Sequence, residues 1–167
     1  MEAAQRLAGG IDAFIDVVGR AASWIALLLA LVMGANVLLR YGFSLGWIWA
    51  QELEWHLMVP ICLIGMSYAL RHGDHVRVDI LFADYSERTK RAIDTLASVL
   101  MMAFSLAVIW LSLAYVGQSW TIGEGTANPG GIDYRYVIKS LIPIGFALLF
   151  LQSLAQAIHN VVALRAS

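Results

Sequence analysis

Four runs of about twenty residues with almost no charge leave this 167-residue chain few ways to fold. They cover 21–39, 49–70, 96–116 and 140–158. A hydrocarbon core about 30 Å thick is crossed by roughly 20 helical residues. In lipid, a spanning segment must satisfy its own backbone N–H and C=O groups, which a helix does. Hydrophobic residues make up 60% of the chain and charged residues 14%, against about 45–50% and about 25% in soluble domains. Such a chain cannot cover itself in water. The expected fold class is therefore an all-α integral membrane protein, a single membrane domain over 1–167 with four transmembrane helices and no room for a separate soluble domain.

The intervals between the runs are where charge collects. Residues 1–20 carry Glu2, Arg6, Asp12, Asp16 and Arg20, with Leu7, Ile11, Phe14, Ile15 and Val18 between them. Apolar spacings of three and four predict an amphipathic helix, expected in the membrane interface. Its three acids and lack of positive bias argue against a cleaved signal peptide. Residues 71–91 form a strongly charged connection, and 121–136 a loop rich in turn residues, including Gly123, Gly125, Asn128-Pro129 and Gly130-Gly131. Trp47, Trp49 and Trp55 cluster at the start of the second run, as aromatic rings do at a membrane boundary. Pro60 is expected to bend that helix, and Ser86 to cap the third with Glu87 in its first turn.

Orientation follows from basic residues. With a cytoplasmic N-terminus, Arg6, Arg20, Arg71, Arg77, Arg88, Lys90, Arg91 and Arg165 lie inside, and only Arg40, Arg135 and Lys139 outside. The positive-inside rule favours this N-in, C-in arrangement. The 71–91 connection is then cytoplasmic and the glycine-rich loop external. A net charge of −1 gives no reason to expect nucleic acid as a partner. The single cysteine, Cys62, has no companion for a disulfide or a metal site and reads as a packing residue.

No residue set points to catalysis, substrate binding, a metal or a cofactor. Glu52 and His56 share a helix face, and a carboxylate beside an imidazole can relay protons. The cost of an intramembrane acid instead favours a structural pair between Arg40 and Glu52 or Glu54 across the short turn. Four histidines raise haem, but two axial ligands must come from facing helices at one depth, and His56 and His159 fall near opposite faces. Ser98, Ser105, Ser112 and Ser119 recur every seven residues. That stripe suits close helix contact, equally with this chain's own helices or with a partner. Gln152, Gln156, His159 and Asn160 share a polar face of the last helix. Lone transporters usually show internal repeats, broken helices and ionisable midplane residues. Their absence here suggests an accessory whose pathway lies in another protein.

An ordered set of short motifs then resembles a known family. Leu39-Arg40-Tyr41-Gly42-Phe43, Trp49-Ala50-Gln51-Glu52-Leu53, Ala69-Leu70-Arg71 leading into His75-Val76-Arg77-Val78-Asp79, and Ile142-Pro143-Ile144-Gly145-Phe146 are similar to the small membrane subunit of tripartite ATP-independent periplasmic (TRAP) transporters. The outer loop, 126–136, departs from the commoner pattern and looks longer. The resemblance implies a bacterial inner-membrane scaffold without enzymatic activity. It would bind a larger permease subunit that carries the solute and sodium sites, and help dock a periplasmic solute-binding protein that captures an organic acid. Arg40 and Glu52 would then fix the outer end of the first hairpin. Arg71, His75, Arg77 and Asp79 would fix the inner connection to membrane lipids or to the partner, and Glu124, Asp133 and Arg135 would form the periplasmic docking surface. The rival readings are a membrane anchor of a haem-containing redox complex and a self-assembling channel with a polar lumen.

Overall fold

The computed structural model describes residues 2–73 and 85–166, the side chains of 165 and 166 excepted. Among the described residues there are four helices and no strand. These are α1 (Glu2–Phe43), α2 (Ile48–His72), α3 (Glu87–Thr121) and α4 (Arg135–Ala166). Each is long and apolar enough to cross a membrane. Helix α4 holds the bundle together: it packs against α3, α2 and α1, while α1 also packs along α2. A four-residue turn joins α1 to α2, closed by the Leu45 N–H donating to the Leu39 carbonyl at 3.1 Å. Its first residue, Ser44, sits at φ 55°. The loop 122–134 joins α3 to α4 on the same side. The start of α1 and the end of α4 lie on the opposite side.

The interfacial segment expected over 1–20 is helical and amphipathic, but it runs into the first span without a break. The reason is that its buried face has bundle neighbours to cover it. Ala8, Ile15, Gly19 and Ala22 recur at helical spacing and are buried. At Gly19 a Cβ would fall 2.1 Å from the Tyr68 ring, so α1 and α2 approach there as only glycine allows. Pro60 lies inside an α2 that remains one helix from Ile48 to His72. Ser86 caps α3 as expected, its Oγ accepting from the Thr89 N–H at 3.2 Å. Residues 74–84, and with them His75, Arg77 and Asp79, lie outside the described residues.

The remaining interior is small and unusually polar. Ser98, Ser105, Ser112 and Ser119 are all buried in α3, which places the stripe inside this chain's own bundle. Small side chains there let α3 lie close to α4. Phe104 and Phe146 meet edge to face at 5.8 Å between centroids in the same interface. Meanwhile Trp24, Leu28, Leu31 and Leu38 on α1 and Leu100, Trp110 and Leu111 on α3 are exposed, as side chains facing lipid or a membrane partner must be.

Gly145 marks a second close approach: a Cβ there would stand 2.7 Å from Leu63 Cβ and 3.1 Å from its carbonyl oxygen. Neither atom is the flexible end of a side chain. We therefore expect Gly145→Ala to destabilise the bundle by about 1–3 kcal/mol, the usual range for overpacking. Gly65→Ala on α2 meets open space and should leave stability unchanged or raised, since alanine favours helix by roughly 1 kcal/mol. Thermal unfolding of the two variants in one detergent provides the comparison.

Candidate functional site

The polar residues of the bundle gather at two levels. On the loop side the centre is Glu52, in the first turns of α2 and only 3% exposed. Thr126 Oγ1 and Asn128 Nδ2 donate to its Oε1 at 2.6 and 2.8 Å, and the Ile132 backbone N–H donates to Oε2 at 2.7 Å. The Arg135 guanidinium, at the start of α4, lies 3.8 Å from Oε1. A buried carboxylate is tolerated when its lone pairs are met by donors and a nearby cation, and here most of them come from the loop. Gly131 completes the fit, because a Cβ on it would stand 2.6 Å from Oε2. The cation beside Glu52 is thus Arg135, where Arg40 was expected. Glu54, the other expected partner of Arg40, accepts from Asn36 Nδ2 at 2.6 Å. Arg40 lies over the Tyr41 ring at 5.3 Å.

Further contacts tie the loop to the helix ends. The Thr126 N–H donates to Asp133 Oδ1 at 3.4 Å, and the Arg135 N–H donates to the Glu124 carbonyl at 3.1 Å. Lys139 donates to the Glu124 carboxylate and lies 4.0 Å from the centre of the Tyr115 ring. That ammonium holds Glu124 below its ordinary 4.5. Glu124, Asp133 and Arg135 therefore all help shape the loop. Exposed Trp120, Ile122 and Tyr134 surround it, and Tyr136 meets both Trp120 and Tyr134 edge to face.

On the side of the chain termini, Arg71 joins α2 to α1. Its Nη1 lies 2.9 Å from Asp12 Oδ1, and its Nε and Nη2 donate to the two oxygens of Asp16 at 2.5 and 2.7 Å. A forked guanidinium paired with a carboxylate in this way fixes orientation as well as distance. Helix α4 joins the cluster through Gln152 Nε2, which donates to Asp12 Oδ1 at 3.0 Å, and His159 Nε2, 2.9 Å from Oδ2. His72 approaches Asp16 at 3.6 Å. Glu52 and Arg71 are nineteen residues apart on α2, about 28 Å along a helix, close to one hydrocarbon thickness. The two clusters mark the two rims of the apolar slab.

Of the residues singled out in the sequence, the structure gathers Glu52 and Arg135 into the first cluster, with Glu124 and Asp133 on the loop around it. Arg71 belongs to the second, and Arg40 stands apart on α1. Sequence reasoning missed Asp12 and Asp16 as partners of Arg71, and Thr126, Asn128 and Gly131 as the cradle of Glu52. The signal for the acid pair was present: two aspartates four apart share a helix face. Nothing local marked Thr126 or Asn128, which stand 74 and 76 residues from Glu52. His56 Nδ1 meets the Glu52 carbonyl at 2.7 Å, so its ring faces its own backbone.

Two outcomes follow. Glu52→Ala leaves the Thr126, Asn128 and Ile132 donors unmatched. Thiol labelling of a cysteine placed at Ala127 should then accelerate by about tenfold or more, as local opening becomes easier. A carboxyl group with a depressed folded-state pKa stabilises above its ordinary value and loses that contribution as pH falls through the folded value. The Glu124–Lys139 link should therefore be intact at neutral pH and fade below about pH 4.5. Once rates are normalised to a free thiol at the same pH, which removes the fall in thiolate fraction, Glu124→Gln should label at pH 7 as the parent does in acid.

Residues 29–163 match the family described as "Tripartite ATP-independent periplasmic transporters, DctQ component". The ectoine TRAP transporter small permease protein TeaB of Halomonas elongata is 26% identical over 134 residues, which are 80% of this chain and 68% of that protein. The C4-dicarboxylate TRAP transporter small permease protein DctQ of Vibrio cholerae is 25% identical over 141 residues, 72% of this chain and 61% of that protein. The sialic acid TRAP transporter permease protein SiaT of Haemophilus influenzae is 26% identical over 129 residues. They cover 77% of this chain but only 20% of that protein.

Proposed function

Because the chain belongs to the DctQ component family of TRAP transporters, multi-pass proteins of the bacterial inner membrane, we propose that it is the scaffold subunit of a sodium-driven importer of a carboxylate solute. A larger permease subunit carries that solute. The observation that carries this reading is the apolar slab itself. No charged residue lies on α1 between Arg20 and Arg40, on α2 between Glu54 and Arg71, on α3 between Asp94 and Thr121, or on α4 between Lys139 and Arg165. A carrier of anions and sodium needs polar or ionisable groups at the midplane. Here the interior between the rims holds uncharged, close-packed residues, among them Ser105, Ser112, Leu148, Leu149 and Gly145, and no acid, lysine or arginine among the described residues. Broad apolar faces of α1 and α3 remain uncovered.

The length of the sialic acid relative supports a larger partner. There the matched segment occupies one fifth of the polypeptide, so the counterpart of this chain shares a polypeptide with a much longer stretch. Ectoine, C4-dicarboxylates and sialic acid, named for the relatives, all carry carboxylates, which favours that solute class. The basic-residue distribution supports an N-in, C-in topology, with the Glu52-anchored loop on the periplasmic face. In this reading the loop presents Trp120, Ile122 and Tyr134 to the solute-binding protein, rigid aromatic contacts of the kind that anchor interfaces.

A tagged chain extracted in mild detergent from its own bacterium should bring with it a much larger polytopic membrane protein in about equal amount. Recovery of the chain alone, or with haem and a soluble redox protein, would contradict the assignment. With a photo-crosslinking residue at Tyr134, the solute-binding protein should be captured. The same residue at Trp24 should capture the membrane partner instead.

A further inference from the structure

Between the outer ends of α1 and α2 lies a crevice of about 220 Å³ that neither polar cluster uses. Its two charged residues are Arg40 and Glu54, and they are not paired with each other. Arg40 is exposed and makes no ion pair among the described residues. Glu54 has Asn36 on Oε1, which leaves a second carboxylate oxygen for another donor. The crevice therefore offers one unpaired cation and one partly satisfied anion side by side, a pattern complementary to a zwitterion.

Its depth profile is that of an amphiphile. Met33 and Val37 line the same crevice on α1. Met33 is seven residues from Arg40, about 10 Å deeper along the helix, so the polar end lies at the rim and the apolar end points into the slab. Trp47 and Trp55 line the rim and are exposed, where indole rings settle at the head-group level of a bilayer. A soluble ligand would gain nothing from the deeper apolar wall, and an acidic side chain of a protein partner would leave Glu54 facing a like charge.

We propose that this crevice is a binding site for one phospholipid of the outer leaflet with a primary-ammonium head group, of the phosphatidylethanolamine type. Arg40 takes the phosphate through charge-assisted hydrogen bonds. Glu54 accepts from the ammonium while Asn36 holds the carboxylate in place. One acyl chain follows Val37 and Met33 into the membrane. Phosphatidylcholine offers the same phosphate but no N–H donor to Glu54, so the site distinguishes the two head groups.

The test reconstitutes the purified complex into vesicles of phosphatidylethanolamine with phosphatidylglycerol, or of phosphatidylcholine with phosphatidylglycerol, and re-extracts it for native mass spectrometry. One phosphatidylethanolamine should remain on each copy of the chain, favoured over phosphatidylcholine by about tenfold, the scale of one charge-assisted hydrogen bond. Arg40→Ala should lose that lipid by a similar factor. Glu54→Gln, which keeps the contact with Asn36, should abolish the preference between head groups while still retaining phospholipid. Should Arg40→Ala fail to assemble, Glu54→Gln decides alone. Equal retention of both lipids by the unmodified chain would overturn the proposal, as would undiminished phosphatidylethanolamine binding by Arg40→Ala or an undiminished head-group preference in Glu54→Gln. So would capture of the permease polypeptide by a photo-crosslinking residue at Trp47, which would give the crevice to a protein.

Discussion

A carboxylate at the edge of a hydrocarbon slab is stable only if donors surround it. The way Glu52 meets that requirement organises the loop-side half of this molecule. Its donors come from a loop more than seventy residues away. Satisfying one side chain on α2 therefore closes the α3–α4 connection over the α1–α2 hairpin. A side chain at Gly131 would push the Glu52 carboxylate away from its donors, because Oε2 occupies that place. Arg135 both starts α4 and neutralises the acid. The second rim repeats the logic with opposite roles: a cation on α2, Arg71, draws in two aspartates of α1, and α4 joins through Gln152 and His159. Between the rims, packing needs only small side chains and close backbones.

This division of labour explains why a protein with so little buried apolar volume can hold a defined shape. In lipid there is no hydrophobic gain from bringing helices together, so contact, hydrogen bonding and close approach must do it. The buried residues are mostly serine, alanine and glycine, with Gln152 and Glu52 as the large polar members. Leaving the buried Glu52 without its donors is strongly destabilising, and the part-buried Arg71–Asp12–Asp16 cluster ties α1 to α2 at the other rim. The exposed tryptophans and leucines of α1 and α3 are left to lipid and, in the proposed assembly, to the larger subunit.

Much of the fold was legible in the residues. Four apolar runs gave four helices, Ser86 announced its cap, and the heptad of serines on α3 marked a contact face. Pairing was less legible. Depth alone suggested Arg40 as the cation for Glu52, because a short turn puts them at one level. Depth cannot tell which of several groups at that level will meet, and the loop brought Arg135 and three uncharged donors instead. The serine stripe named a contact but not its direction, since small residues suit an internal neighbour and a partner equally well. Asp12 and Asp16 are two of several charges on an amphipathic segment, and nothing in that segment points to Arg71, fifty-five residues beyond Asp16, as their partner. The motif Ile142-Pro143-Ile144-Gly145-Phe146 gains a physical meaning from Leu63, whose backbone leaves no space beside Gly145.

In the proposed assembly this chain should be required for transport without itself providing the pathway. The direct measurement is solute uptake into proteoliposomes under an imposed sodium gradient, with the solute-binding protein outside and its own bound ligand, radiolabelled, as the substrate. Uptake should occur when the larger subunit and this chain are both present, and be lost when either is omitted. Uptake by this chain alone, or undiminished uptake by the larger subunit without it, would contradict the account.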